Sequence, residues 1–261
     1  MSDFDRNASA RWGSGVARTR TAEIDQGLRS YMLGVYNYMT VGLAVTGLVA
    51  LGVNMLATTT DPARIVARMG GMGLTSLGVA LYGSPLKWVV MLLPLAFVFF
   101  FSFRIDRMAA STARNVFVLF AAAMGLSLSS ILLVYTGVSI TRAFFITAAT
   151  FGTLSLYGYT TKRDLSAFGS FLIMGLIGLV IATLVNLVLQ SSAMQFALSV
   201  LSVLIFSGLT AWDTQSIKEM YFANDDAATA TKKSVNGALM LYLDFINIFT
   251  ALLNLTGSKN E

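Results

Sequence analysis

The chain has neither cysteine nor histidine. That removes thiolate nucleophiles, Ser–His pairs, HExxH protease sites and every metal site built on Cys or His. It also removes the side chain that ordinarily titrates near neutrality, so a pH response there must come from carboxylates in unusual surroundings. Charge is scarce too. Asp, Glu, Lys and Arg make up 12% of the 261 residues against 56% hydrophobic ones, roughly half the charged share of a soluble domain. Proline occurs at only 3 positions. These shortages describe an all-α, polytopic membrane protein. The net charge of +5 does not imply a nucleic-acid partner, because the bases sit in the short segments between apolar runs, where they speak of topology.

Residues 1–29 form a polar, Arg-containing tail with no uninterrupted apolar core and no small-residue cleavage site, so it reads as a cytoplasmic arm and not a signal peptide. Seven apolar runs follow, near 31–56, 86–103, 115–136, 142–160, 168–190, 194–217 and 235–256. They define a membrane domain over 30–257, with a short tail at 258–261. The glycine-rich stretch 69–85 is too short to span alone; it reads as an interfacial or partly inserted helix, or as an early start to the second span. Pro85 suits a first helical turn. With the N-terminus inside and seven spans, inside segments hold 13 of the 18 Lys and Arg, which follows the positive-inside rule and puts the C-terminus outside. Gly34, Gly42, Gly47, Gly52, Gly175 and Gly178 lie within spans, where small residues let helices pack closely. No internal repeat is evident.

Asp244 stands where a carboxylate is costly. Its run, 235–257, has no other ionisable side chain except Tyr242. At the centre of a span an aspartate costs about 2.5–3.5 kcal/mol, so it faces a partner or a wet cavity. Asp213 closes the preceding run, in TAWDTQ. Stepped at 100° per residue, Thr210, Phe206, Ser202 and Ser199 fall within about 60° of Asp213, and Asn247, Ala251 and Asn254 lie on or near the face of Asp244. The two helices run antiparallel, and their acids differ in level by roughly one turn, so the carboxyls can approach each other. Two acids in a poorly solvated site share a proton and titrate as a coupled pair, a plausible sensor near neutral pH. The same pair is a thin cation site. Calcium prefers six to eight oxygens, so binding there is expected to be weak and transient, with no resident cofactor. Thr210, Ser202, Asn247 and Asn254 are candidates to line a path. Asp106 with Arg104 and Arg107, and Arg163 with Asp164, read as boundary charges. Asn224, Asp225 and Asp226 read as a solvated turn. Asn186 either lines the bundle or bonds a nearby carbonyl. No enzyme is expected: no span brings serine and lysine together near its middle, and Tyr242 and Leu243 before Asp244 exclude the GxGD context of an intramembrane aspartyl protease.

The strings LYLDFINIF, AWDTQSIK and LYGYTTKRDLSAFGSF resemble the Bax inhibitor family, or transmembrane Bax inhibitor motif proteins, over about 28–257, and the chain looks like a bacterial, inner-membrane member. The resemblance implies a seven-helix bundle with the last helix central. It also implies that Asp213 and Asp244 form a pH-sensitive latch over a calcium leak. In some members a basic residue on the second span locks onto the pair; here Lys87 and Arg104 stand only at the ends of that span. The leading expectation is therefore a pH-gated passive cation leak, with membrane lipid, protons and calcium as partners. The alternative is a regulator that engages a membrane-bound AAA protease, or another membrane partner, through the N-terminal tail.

Overall fold

The structure, a computed structural model, describes residues 3–69, 71–104 and 107–260, with side chains from Gln26 onward except Ser102. Asp106 and the side chains of tail residues 1–25 lie outside the described residues. Hydrocarbon offers no partner to a backbone N–H or C=O, so each apolar run must satisfy its own hydrogen bonds as a helix. Among the described residues, six stretches are long and apolar enough to cross a membrane. Gln26–Ala57 belongs to α1 (Asp3–Ala57), and Ala110–Val134 combines α4 (Ala110–Leu128) with α5 (Ile131–Val134). The others are α6 (Gly137–Thr160), α7 (Ser166–Leu189), α8 (Ser192–Glu219) and α9 (Ala227–Thr256). A seventh crossing is broken. The short α2 (Ser76–Gly78) runs through a π turn at Val79–Gly83, and after a 65° bend the chain continues as α3 (Leu86–Arg104). Pro85 has no N–H to extend the first piece, while the Ser84 hydroxyl accepts from Leu86 N at 3.1 Å and starts the second. Counted as one span, the bent pair completes the seven-helix bundle that the apolar runs predict.

The segment expected to be helical over 69–85 is helical only in its second half. Its first part joins a small antiparallel sheet of β1 (Thr58–Thr59), β2 (Ala67–Met69) and β3 (Met72–Leu74), in the order β1-β3-β2. Leu74 stands opposite both Thr58 and Ala67. Gly71 adopts φ 75° in the turn between β2 and β3, a conformation glycine takes without strain.

The last helix is central. Over half of its span (56%) is buried, against 11% for α7, and it packs on α1, α4, α6 and α8. The string LYLDFINIF sends side chains around the whole circumference. Tyr242, fully buried, sits edge-on to Phe117 and Phe120 of α4. Phe245 does the same with Phe144 and Phe151 of α6. Ile248 joins Leu172 and Leu179 of α7 and Phe206 and Leu209 of α8. The Tyr242 hydroxyl lies 2.7 Å from Thr46 Oγ1. Thr46 has one proton, which goes to the Gly42 or the Ala121 carbonyl, so Tyr242 donates and α1, α4 and α9 meet in a single buried network.

The string AWDTQSIK anchors α8 residue by residue. A Cβ on Gly158 of α6 would strike the Ala211 carbonyl, and one on Gly169 of α7 would strike the Trp212 ring, so both neighbours approach α8 at glycine distance. Thr214 Oγ1 donates to the Thr210 carbonyl (2.7 Å), Ser155 of α6 reaches Thr214 (3.0 Å), and Tyr36 of α1 reaches Ser155 (2.7 Å). With the Thr214 proton committed, Ser155 donates to Thr214 and Tyr36 to Ser155. Gln215 grips the α6–α7 connection from both ends of its amide: Oε1 accepts from Leu165 N and Nε2 donates to the Arg163 carbonyl, each at 2.8 Å. Lys218 Nζ donates to the Tyr159 carbonyl at 2.9 Å, near the end of α6. Of the span glycines, Gly42 would collide with Phe117 if given a Cβ, whereas Gly47, Gly52 and Gly178 meet nothing within 4 Å. The expected packing role does not extend to those three.

Two stability predictions test this packing. Gly158→Ala should destabilise the bundle by about 1–3 kcal/mol, as overpacking of a tight contact does, whereas Gly152→Ala, on the same helix with open space around it, should leave thermal unfolding in detergent unchanged. Tyr242→Phe should cost about 1 kcal/mol through the lost donor to Thr46, seen as a lower unfolding midpoint in the same assay.

Candidate functional site

Asp213 is 7% exposed and Asp244 3%, both enclosed where α8 crosses α9. Their carboxyl groups lie against each other. Ionised carboxylates have only acceptors to offer, so that contact becomes a hydrogen bond only when one of them holds a proton. With both ionised, Asp244 Oδ2 is enclosed without a hydrogen-bond partner among the described residues. Thr210 is the third member. Its hydroxyl donates to the Phe206 carbonyl at 2.8 Å and also lies against Asp244, so its single proton has two takers.

The helix ends are less symmetric than the apolar runs suggest. Helix α9 begins at Ala227, ahead of its apolar run, and places Asp244 about 26 Å along its length, while Asp213 lies about 9 Å from the end of α8. The extra turns of α9 start from Asp226, whose carboxylate accepts from Thr229 N at 3.2 Å. Asp225 beside it pairs with Lys233. The NDD turn is thus a helix cap and an ion pair. Asp164 similarly accepts from Ser166 N (2.8 Å) at the start of α7.

The other sequence candidates divide. Asn247, Asn254 and Ser202 do not join the acids. They line a cavity of about 730 Å³ between α7, α8 and α9, with Trp88 of α3 at its edge. Phe206 and Asn247 are its lining residues nearest the acids along α8 and α9, and Asn247 is one turn along α9 from Asp244. Asn186 lines the same cavity, and its Oδ1 accepts from Ser191 N at 3.1 Å, so its side-chain bond is to a backbone N–H and not to the nearby carbonyl expected as the alternative. The bases nearest to the question of a counter-charge are engaged elsewhere: Lys87 lies over the Trp88 ring, and Lys218 bonds the Tyr159 carbonyl. Among the described residues, no third acid joins the pair to build a three-ligand metal cluster. The donor set for a cation at this point is two carboxylates and a threonine hydroxyl, short of what calcium prefers.

Sequence reasoning had used only the acid of AWDTQSIK. Tyr36, Ser155, Thr214, Gln215 and Lys218 are not among the sequence candidates, yet they tie the α8 segment that carries that acid to α1, α6 and the α6–α7 connection. For Thr214, Gln215 and Lys218 the signal was their adjacency to Asp213 in a polar string at the end of an apolar helix.

The family model described as Inhibitor of apoptosis-promoting Bax1 (Bax1-I) matches residues 28–261. The inner membrane protein YbhL of Escherichia coli K12 is 43% identical over 235 residues, 89% of this chain and 93% of that protein. Uncharacterized protein RP147 of Rickettsia prowazekii is 41% identical over 243 residues, covering 93% and 95% of the two chains. An uncharacterized protein of Caulobacter vibrioides is 40% identical over the full length of both. The AWDTQSIK and LYLDFINIF strings, the central last helix and these matches lead to one conclusion: the chain is a multi-pass membrane protein that belongs to the Bax inhibitor family.

Proposed function

We propose that this protein is a pH-sensitive passive leak for cations, calcium among them, governed by Asp213 and Asp244. The observation that carries the reading is the mutual contact of two carboxyls inside a helical core, with Lys87 and Lys218 engaged elsewhere. With one proton shared, the pair is a hydrogen bond that ties α8 to α9. With both ionised, it is a repulsion. Two unit charges about 4 Å apart repel by about 4 kcal/mol at an effective dielectric near 20. A shift of about 5.5 kcal/mol takes a two-state equilibrium from 1:99 to 99:1, so a repulsion of that order suffices to change which packing of α8 on α9 dominates. Ionisation also draws in water, and a weak, incomplete oxygen set suits passage better than storage.

The basic residues of the loops favour an N-terminus in the cytoplasm and, with seven crossings, a C-terminus outside. The name of the Escherichia coli relative favours the inner membrane as the location. On this topology the cavity beside the acid pair lies toward the outer side, since it sits where α7 ends and α8 begins.

The exposed caps give a reference for pH experiments. The Thr229 hydroxyl and N–H hold the Asp226 carboxyl below the usual carboxylate range, and Ser166 does the same for Asp164. A depressed carboxylate contributes stability that is fully present above its unfolded pKa and is lost as pH falls through the folded value. Both contributions are therefore constant between about pH 6 and 8, and a change of activity in that window belongs to other groups.

Calcium flux into liposomes holding the purified protein should rise from pH 6 to 8. Asp213→Asn with Asp244→Asn, which fixes both side chains as neutral, should give a low flux that no longer depends on pH. Equal flux from the intact protein and the double variant would sink the proposal. No flux above empty liposomes at any pH would favour instead a regulator that binds a membrane partner, such as a membrane-bound AAA protease, through its N-terminal tail.

A further inference from the structure

Helix α1 leaves an apolar stripe without a protein partner as it nears its C-terminal end. Leu48, Leu51 and Met55, each at least half exposed, recur on one face. Gly52 lies on the same face, and a Cβ there would meet nothing within 4 Å. The helix is long and apolar enough to cross the membrane, so this stripe faces acyl chains. It ends at a second cavity, of about 710 Å³, between the last turns of α1 and the small sheet, with Met55 on its wall. Strand pairing decides what else that wall carries. Thr59, Gly73 and Arg68 stand opposite one another across β1, β3 and β2, so Thr59 and Arg68 project from one face of the sheet. Leu74, next along β3, takes the other face and is buried. Thr59, Arg68 and Arg64 all line the cavity, and no carboxylate does. Both arginines are exposed, and neither guanidinium has a hydrogen-bond or ion-pair partner among the described residues. Asp61, the acid of the same connection, accepts from Ala63 N at 3.0 Å and lies off the wall. Thr59 Oγ1 accepts from Asp61 N at 3.2 Å, which leaves its own proton uncommitted.

We propose that this cavity binds the phosphodiester of an anionic phospholipid, with an acyl chain laid along Leu48, Leu51 and Met55. Guanidinium groups present paired donors that match phosphate oxygens, and the Thr59 hydroxyl adds a third source. A soluble anion would satisfy the arginines alone. An apolar stripe that runs to the same cavity suits a ligand with both an anionic head and a hydrocarbon tail. A headgroup of net negative charge is preferred to a zwitterionic one, because no carboxylate on the wall pairs with a zwitterion's cationic end. Gly52, which serves no helix contact, leaves a dent in the stripe where a chain can lie. The site involves neither Asp213 nor Asp244 and stands apart from the leak reading. Its occupant would tether the hairpin between the first two crossings to the membrane surface.

The test titrates the full chain, in a non-ionic detergent, with dioctanoyl phosphatidylglycerol and counts bound lipid by native mass spectrometry. Dioctanoyl phosphatidylcholine and dioctanoylglycerol carry the same tails and serve as comparisons. The first phosphatidylglycerol should bind more tightly than either. Arg64→Gln with Arg68→Gln should weaken it about tenfold or more, the equivalent of losing one charge-assisted hydrogen bond. Arg29→Gln, which removes a cation at the other end of α1, should leave it unchanged. The paired Lys variant keeps the charge without the planar fork and should fall between native and Gln. The unfolding midpoint of the Gln variant without lipid should match the native one, since neither arginine supports the fold. Equal affinity of native and Gln chains for phosphatidylglycerol would overturn the proposal. So would equal affinity of the native chain for phosphatidylglycerol and dioctanoylglycerol, because the phosphate would then go unread. Displacement of the lipid by an equal concentration of inorganic phosphate would overturn the lipid assignment and leave a site for a soluble anion.

Discussion

The fold depends on holding one face of α8 against one face of α9 although that interface contains two carboxyls. Burying a carboxylate is expensive, and burying two side by side more so. The helices next to α8 and α9 oppose their separation. Gly158 and Gly169 let α6 and α7 close on α8 from two sides. A hydroxyl chain from Tyr36 through Ser155 to Thr214 adds α1. On the far side of α9, Tyr242 bonds Thr46, and two phenylalanines of α4 pack edge-on around its ring. The acids are therefore held together by their surroundings, the kind of arrangement in which the protonation of one group can decide between two packings.

Much of this was legible in the sequence, for stated physical reasons. A run of about twenty apolar residues has few options other than a spanning helix, so the crossings could be read directly, including the second, which carries Pro94 in its interior. A carboxylate within such a run is marked by its cost, so Asp244 is evident from sequence, and helical stepping places the polar residues of the last span on one side. The stepping did not separate them by depth. Asp244 meets Asp213, while Asn247 and Asn254 serve a different volume.

What stayed hidden depends on distant backbone. Gln215 is polar and unremarkable in sequence; its partners are the N–H of Leu165 and the carbonyl of Arg163, fifty or so positions away. The β2–β3 hairpin was concealed because a glycine-rich, methionine-containing stretch has no period of its own, and its pairing is set by Thr58 and Thr59. The early start of α9 was hidden because residues 227–234 are too polar to count as a span, although Asp226 caps them as a helix.

The bundle is not a closed ring. Helix α3 packs chiefly on α4, and α7 on α8, so among the described residues the arc from α3 to α7 is bridged by no helix pair of similar extent. Trp88 of α3 and the apolar flank of α7 both line the cavity. In a bilayer that opening faces acyl chains, and the lipid becomes part of the vessel wall. The water capacity of the cavity is then a joint property of protein and membrane. Chain length, unsaturation and lateral pressure can alter it without any change in sequence, so the same polypeptide would behave differently in membranes of different composition.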